Sequence, residues 1–305
     1  MGYGMYSIDA HRALTDSRAK APREKVFKQR ECHPLMNPHG IRVRECRDSD
    51  AHPNSIGIVF ALDVTGSMGG IPDRLARRDL PEFMKLLLAT GVEDPQVLFM
   101  AVGDATCDAA PLQIGQFESE AELMDQWLTW SYLEGGGGGG SKESYELGMY
   151  LAARHTVMDC WEKRRRRGYF FMTGDEHPYP LVSKSQVKGL IDDDLDDDLP
   201  IERIIDELSV SFEPFYLLPD PRRGSACGDR WRDLLGDHVI QLAAPEDTCH
   251  VAASVVALGE GSLASVEEVA DRLAGDGLAK DRVAGIVRAI TPFAETLGGR
   301  PETLR

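Results

Sequence analysis

The fold is decided by residues 56–67, which read IGIVFALDVTGS. The part before the aspartate is short, apolar and rich in β-branched residues, which predicts a buried strand. Asp63, Thr65 and Ser67 follow at alternate positions, where extended side chains point the same way. Open α/β sheets bind ligands beyond the carboxyl ends of their strands. These three oxygen-bearing side chains therefore predict a site for Mg²⁺ or Mn²⁺.

The segment DVTGS at 63–67 resembles the D-x-[ST]-x-S signature of the von Willebrand factor type A domain. In that family the three residues belong to a metal-ion-dependent adhesion site, which a hydroxyl from a second loop and an acid from a third loop complete. The resemblance covers roughly residues 54–258. It implies a Mg²⁺ or Mn²⁺ ion with one coordination position left open for a carboxylate of a protein partner.

The second loop of the family's metal site corresponds to Ser141, which follows a run of six glycines at 135–140. Apolar residues recur at helical spacing from Leu147 to Trp161, so Ser141 is expected to begin a helix, as the threonine of the family does. Serine keeps the hydroxyl of that threonine. The resemblance therefore implies Ser141 as the second-loop ligand.

The third loop follows residues 168–173, an apolar run that predicts another buried strand. The family usually has Thr-Asp-Gly here, whereas this chain has Thr-Gly-Asp, so the acid is displaced by one residue. A kink at Gly174 is expected to bring Asp175 back toward the ion. Asp175 is thus the implied third-loop ligand, with Glu176 and Asp104 as the alternatives.

The remaining pattern alternates between strands and helices. Strands are predicted at 97–102, 112–117, 212–217 and 238–242, and helices at 80–88 and 120–130. This alternation predicts an α/β fold with a doubly wound, mostly parallel sheet and helices on both faces, as in von Willebrand factor A and Rossmann-like domains. The short segment 112–117 is expected to be an antiparallel edge strand.

Three regions are expected along the chain. Repeated prolines predict an irregular amino-terminal arm at 1–53, followed by the von Willebrand factor A-like domain at 54–258. Residues 259–305 contain a capping box at Ser265 and Glu268 and two apolar helical stripes. This last region is expected to form a helical hairpin that packs on the domain.

Composition narrows the classes of partner. The chain has 305 residues and a formal net charge of −16, which argues against binding to nucleic acid or to an anionic membrane. It contains no apolar run long enough for a membrane span and no signal sequence, and its six cysteines lack paired spacing, so a cytoplasmic location is expected. Intracellular relatives in the resembled family often serve as adaptors for AAA+ ATPases of the MoxR type, which implies a binding role without catalysis.

An enzymatic alternative treats Asp63 as a nucleophile. An apolar strand followed by Asp-x-Thr-Gly-Ser also resembles the phosphorylated loop of haloacid-dehalogenase-like phosphotransferases, and Gly103, Asp104 and Asp108 fit their G-D-x-x-x-D motif. In those enzymes, however, the acidic motif follows the strand that carries the characteristic Thr or Ser. Here the acidic motif precedes the corresponding strand, which is predicted at 168–173. The order of motifs therefore favours the binding module over the phosphotransferase.

Overall fold

The computed structural model describes residues 4–66, 68, 70–135 and 140–298, with backbone only at 222–225 and 298. The strands are β1 Arg44–Cys46, β2 Ile56–Asp63, β3 Pro95–Val102, β4 Leu112–Ile114, β5 Lys142–Glu143, β6 Thr156–Met158, β7 Gly168–Thr173, β8 His177–Pro178, β9 Leu181–Val182, β10 Leu199–Pro200, β11 Phe212–Leu218 and β12 Val239–Gln241. The α-helices are α1 Ile8–Ser17, α2 Arg23–Val26, α3 Gly70–Arg74, α4 Leu80–Ala89, α5 Ala121–Thr129, α6 Tyr145–Arg154, α7 Asp159–Arg164, α8 Lys184–Leu190, α9 Ile201–Ser211, α10 Pro221–Leu235, α11 Thr248–Gly259, α12 Val266–Gly275 and α13 Lys280–Gly298.

The protein has a mixed α/β fold built on a mostly parallel sheet. In the described residues this sheet has the strand order β12-β11-β7-β2-β3-β4. All neighbouring pairs are parallel except β3 and β4. The prediction of an antiparallel edge strand is therefore confirmed, although β4 ends at Ile114. The chain leaves β2 toward β3 and later returns to β7 on the other side of β2, so the strand order reverses at β2.

The central strands are buried over their full length, as their apolar sequences predict. Every residue of β2, β3 and β7 is buried. Phe60 on β2 lies at the centre of the core, with ring centroids 6.0 Å from Phe99, 5.5 Å from Phe171 and 5.1 Å from Phe83. Aromatic burial on this scale stabilises the sheet and fixes its register. The ends of β2, β3 and β7 are thereby held in place.

The amino-terminal region is more ordered than its prolines indicate. Helix α1 begins after Ser7, whose side chain accepts a hydrogen bond from the backbone N–H of Ala10 at 3.2 Å. The buried residues of this helix are His11 and Thr15, so it lacks the apolar stripe from which a helix is recognised in a sequence. Strand β1 also pairs with β6. The expectation of an irregular arm is therefore wrong for these elements.

The helix expected from Ser141 begins later and ends earlier. It starts at Tyr145, because residues 142–143 pair as strand β5 with β8. It ends at Arg154, and the apolar residues at 158 and 161 belong to β6 and α7. The continuous helical spacing in the sequence therefore spans a strand and two helices.

The carboxyl-terminal helices pack on the sheet region. The Ser265 side chain accepts a hydrogen bond from the Glu268 backbone N–H at 3.3 Å at the start of α12. Helix α13 contacts both α12 and α11. Its Phe293 ring is fully buried and meets Phe215 of β11 edge to face at 4.9 Å. The two helices thus cover apolar surface next to β11 and β12.

Candidate functional site

The register of the sheet brings the ends of three strands side by side. Asp63, the last residue of β2, pairs with Val102 of β3, and Leu62 pairs with Thr173 of β7. The loops that follow β3 and β7 therefore begin directly beside Asp63. This edge is also where the strand order reverses, which is the usual ligand position in open α/β sheets.

Asp63 is fully buried, and both of its carboxyl oxygens accept hydrogen bonds. Thr65 donates to Oδ1 through its backbone N–H at 2.9 Å and through its hydroxyl at 2.5 Å, and the Tyr145 hydroxyl donates to Oδ2 at 2.7 Å. Burial raises the pKa of Asp63 to about 6, the bonds from Thr65 and Tyr145 lower it, and the nearby Asp175 raises it. Among the described residues, the groups that donate hydrogen bonds to Asp63 are neutral. None of these donors is a positively charged side chain that could offset the buried charge.

Tyr145 belongs to an aromatic wall behind Asp63. Its ring meets Tyr216 edge to face at 5.5 Å and Trp231 at 5.6 Å, and Tyr216 stacks on Trp231 at 3.8 Å. Burial, followed by repulsion from Asp63, raises the pKa of Tyr145 well above its usual range, so its hydroxyl keeps its proton and donates. A Cβ on Gly174 would overlap the hydroxyls of Tyr145 and Tyr216. Residue 174 therefore has to be glycine for lack of space.

The reason for this glycine differs from the one expected. A kink that uses the conformational freedom of glycine was expected, but Gly174 is absent from the described glycines with positive φ. The displaced acid Asp175 is nevertheless buried, with 3% of its surface exposed. The main chain of the following residue is held in place, since the Glu176 carbonyl accepts hydrogen bonds from Trp231 Nε1 at 3.0 Å and from the Tyr216 hydroxyl at 3.3 Å. Asp175 thus lies inside the protein, near enough to Asp63 to raise the pKa of that carboxyl.

Asp104 lies just beyond β3 and is also largely buried. Its carboxylate accepts hydrogen bonds from the Thr106 hydroxyl at 2.8 Å and from the Tyr179 hydroxyl at 3.1 and 3.2 Å. Asp108 accepts a hydrogen bond from the Asp104 backbone N–H at 2.7 Å and so fastens the loop. Neutral hydroxyls therefore surround Asp104 as they surround Asp63.

Glu143 is an acid of this edge that the sequence patterns did not single out. It is 7% exposed, and its Oε2 atom has no hydrogen-bond partner within the part of the chain that the structure describes. Burial raises the pKa of Glu143 to about 9, and neighbouring acids add to the shift. Those acids are Asp63, Asp108, Asp104 and Glu176. Glu143 thus takes up a proton at neutral pH unless a cation compensates its charge.

Glu146, the second residue of α6, is a second buried acid. It is fully buried, and neither carboxyl oxygen has a hydrogen-bond partner of good geometry among the described residues. Burial raises the pKa of Glu146 to about 8, while its own backbone N–H and that of Tyr179 lower it and Asp104 raises it. Neither glutamate belongs to a recognised motif. Only their position in a polar segment between a glycine run and an apolar helix distinguishes them in the sequence.

The structure brings three of the implied ligands to one edge, whereas Ser141 lies in an exposed position. Asp63, Thr65 and Asp175 are buried together there. Ser141 is exposed, and its carbonyl accepts a hydrogen bond from the backbone N–H of His177 at 3.1 Å. Ser67 lies outside the described residues.

The described residues contain no metal site built only from His, Cys, Asp and Glu side chains. Across residues 4–66, 68, 70–135 and 140–298, no group of three or more His, Cys, Asp or Glu side chains is arranged to hold a metal ion. Any ion at this edge would therefore need hydroxyl or water oxygens beside the carboxylates.

Comparison with known proteins gives distant structural likeness only. No protein-family model matches the chain, and no curated protein matches it. A similar solved structure is the pilus adhesin SpaC from Lactobacillus rhamnosus GG, at 10% identity over 69% of this chain and 31% of SpaC, with a TM-score of 0.44. Its open conformation gives a TM-score of 0.45 at 10% identity over 70% of this chain and 31% of SpaC. Proximal thread matrix protein 1 from the mussel byssus gives 0.42 at 9% identity, over 72% of this chain and 49% of that protein.

The matched region thus spans about a third of SpaC and about half of the mussel protein. At these scores the likeness identifies no family for this chain.

The described helices include none that combines the length and the apolar character needed to cross a membrane.

Proposed function

We propose that this chain is a von Willebrand factor A-like binding module that holds Mg²⁺ or Mn²⁺ at the carboxyl edge of its sheet and presents the ion to a carboxylate of a protein partner. The observation that carries the proposal is Asp63, a fully buried carboxylate that is hydrogen-bonded by neutral donors and faced by Asp175. Two neighbouring buried acids repel each other when both are ionised. A divalent ion between them would remove that repulsion.

The donor set at this edge suits a hard cation. The Thr65 hydroxyl gives its hydrogen to Asp63, so its oxygen lone pairs remain available to an ion. Carboxylates, hydroxyls and waters are the ligands that Mg²⁺ and Mn²⁺ prefer. Asp63, Thr65 and Asp175 would hold the ion with Ser67 and water, and Ser141 would have to approach from its exposed loop. The bound ion would supply an open position that attracts an oxyanion.

The proposal also covers the architecture and the cellular role of the chain. The sheet would be doubly wound with helices on both faces, and the chain would divide into three regions at residues 53 and 258. The protein would be a cytoplasmic adaptor that works with an AAA+ ATPase of the MoxR type. Scattered cysteines without paired spacing suit a reducing compartment. The strongly acidic chain favours a protein partner over nucleic acid or an anionic membrane.

The phosphotransferase alternative is less well supported by the geometry. Hydrogen bonds from Thr65 and Tyr145 to Oδ1 and Oδ2 of Asp63 draw electron density from both oxygens and so weaken Asp63 as a nucleophile. The described donors to Asp63 also include no lysine or arginine that could stabilise a transferring phosphoryl group. A binding role therefore remains the proposed function.

Thermal unfolding with and without metal tests the proposal. After removal of metal by a chelator, Mn²⁺ or Mg²⁺ should raise the melting temperature of the wild-type protein by mass action. Asp63→Asn should abolish this increase, while Asp197→Asn, which removes the same charge from an exposed position, should keep it. An equal response of the Asp63→Asn variant would show that the ion binds elsewhere.

A further inference from the structure

The loop after β7 departs from the resembled family at one position, and the structure supplies the reason. Residue 174 is glycine where the family has its acid, and the space that a side chain would enter is filled by the hydroxyls of Tyr145 and Tyr216. The Tyr145 hydroxyl also donates to Asp63 Oδ2 at 2.7 Å. A tyrosine from α6 therefore occupies the place beside Asp63 from which residue 174 is excluded.

We infer that Tyr145 is the positioning residue of the candidate cation site. Its hydroxyl takes the space of a side chain at residue 174 and fixes Asp63 from the side of Oδ2. This inference rests on the proposed function. Thr65 holds Oδ1 from one side, and Tyr145 holds Oδ2 from the other. With one donor group at each oxygen, the carboxylate cannot rotate about its terminal bond, and its remaining lone pairs keep one direction.

The surroundings of Tyr145 make it a rigid support. The residue is fully buried, and its ring makes edge-to-face contacts with both Tyr216 and Trp231. Trp231 and Tyr216 in turn hold the Glu176 carbonyl, so the wall that orients Asp63 also fixes the loop that carries Asp175. Groups that orient a ligating carboxylate in this way affect metal affinity without touching the metal.

Tyr150 offers a matched control for this role. It is buried on the same helix α6, and its hydroxyl also donates to an aspartate, at 2.8 Å to Asp193 Oδ2. Asp193 lies outside the candidate site. Tyr145→Phe and Tyr150→Phe thus each remove one hydroxyl from a buried tyrosine of α6, and a loss of Mn²⁺ affinity confined to Tyr145→Phe cannot be ascribed to packing of that helix.

The experiment is a calorimetric titration of Mn²⁺ into chelator-treated protein, together with thermal unfolding of the metal-free variants. We expect Tyr145→Phe to weaken Mn²⁺ binding by about 10-fold to 100-fold, the usual effect of losing a group that orients a metal ligand. Tyr150→Phe should bind nearly as the wild type does, even where its melting temperature falls equally. Gly174→Ala is a second route to the same effect, because its Cβ must push the Tyr145 hydroxyl away from Asp63.

The outcomes separate the inference from the proposed function. Wild-type affinity in Tyr145→Phe, or an equal loss in Tyr150→Phe, overturns the positioning role while the cation site stands. Absence of Mn²⁺ binding to the wild-type protein overturns both. If Tyr145→Phe does not fold, the Gly174→Ala titration decides, and unchanged affinity there overturns the inference.

Discussion

Asp104 repeats, just beyond β3, the local structure that Asp63 forms at the end of β2. Asp63 Oδ1 accepts the backbone N–H of Thr65 at 2.9 Å and its hydroxyl at 2.5 Å. Asp104 Oδ1 accepts the backbone N–H of Thr106 at 2.9 Å and its hydroxyl at 2.8 Å. The same Asp-x-Thr pattern thus ends two neighbouring strands. The surroundings differ, since Tyr145 bonds to Asp63 and Tyr179 bonds to Asp104.

The two threonines allow a paired test of the proposed ligands. Thr65→Ala and Thr106→Ala each remove the hydroxyl bond to the aspartate two residues earlier, which should lower the free energy of unfolding by about 0.5–1.5 kcal/mol at the buried Thr65 and by less at the exposed Thr106. Only Thr65→Ala should also weaken Mn²⁺ binding. Urea unfolding and calorimetric titration measure the two effects. Equal Mn²⁺ affinity in both variants would remove Thr65 from the ligand set.

The features of the carboxyl edge of the sheet that could be predicted depend on residues close together in the sequence. The strand at 56–63 is apolar throughout, and Asp63 meets Thr65 two residues later, so the turn follows from the sequence alone. Asp175 is found at the same edge because β7 is equally apolar and pairs directly with β2. Such elements need no knowledge of distant contacts.

The features that were missed depend on tertiary contacts. Helix α1 buries His11 and Thr15 in place of an apolar stripe, so its sequence carries little helical signal. Residues 142–143 become a strand only because β8 lies beside them, which delays α6 to Tyr145. The bond from Tyr145 to Asp63 joins residues 82 positions apart. No pattern in the sequence relates these two residues.

The contribution of Glu143 to the stability of the metal-free protein should fall as the pH rises. The folded protein raises the pKa of Glu143 from 4.5 to about 9, so between these values it keeps a proton that the unfolded chain has lost. This contribution is then most favourable below about pH 4.5 and declines up to about pH 9, by at most roughly 1.4 kcal/mol per pH unit and less where solvent screens the charge.

Glu143→Gln isolates this contribution. Because glutamine does not titrate, the variant should lose less stability than the wild type between pH 5 and pH 9, measured by urea unfolding with chelator present. Glu202→Gln, at an exposed acid paired with Arg230, is the control and should follow the wild-type profile. Parallel profiles for Glu143→Gln and the wild type would show that Glu143 keeps its charge in the folded protein.

The phosphotransferase alternative makes an opposite prediction about chemistry. An aspartyl-phosphate enzyme should bind beryllofluoride at Asp63 and hydrolyse a generic phosphate ester with Mg²⁺. We expect neither, because both Asp63 oxygens are engaged by Thr65 and Tyr145. Release of phosphate that disappears in Asp63→Asn would establish the enzyme and displace the binding module.

The assignment of the third-loop acid is tested by comparing Asp175 with its neighbour. Asp175 is 3% exposed and raises the pKa of Asp63, whereas Glu176 is half-buried and acts on Glu143. Asp175→Asn and Glu176→Gln each remove one negative charge from the same loop. The general loss of attraction for a cation should therefore be similar in both variants.

The two variants should differ through direct ligation. Asp175→Asn also lowers the pKa of Asp63, which by itself makes Asp63 a better ligand at pH 6. A marked loss of Mn²⁺ affinity in Asp175→Asn alone would thus occur against this gain and would identify Asp175 as a ligand. Calorimetric titration at pH 6 and pH 8 measures it. If Glu176→Gln loses more affinity than Asp175→Asn, the displaced acid is Glu176, and Asp175 acts only as a neighbouring charge that holds the pKa of Asp63 up.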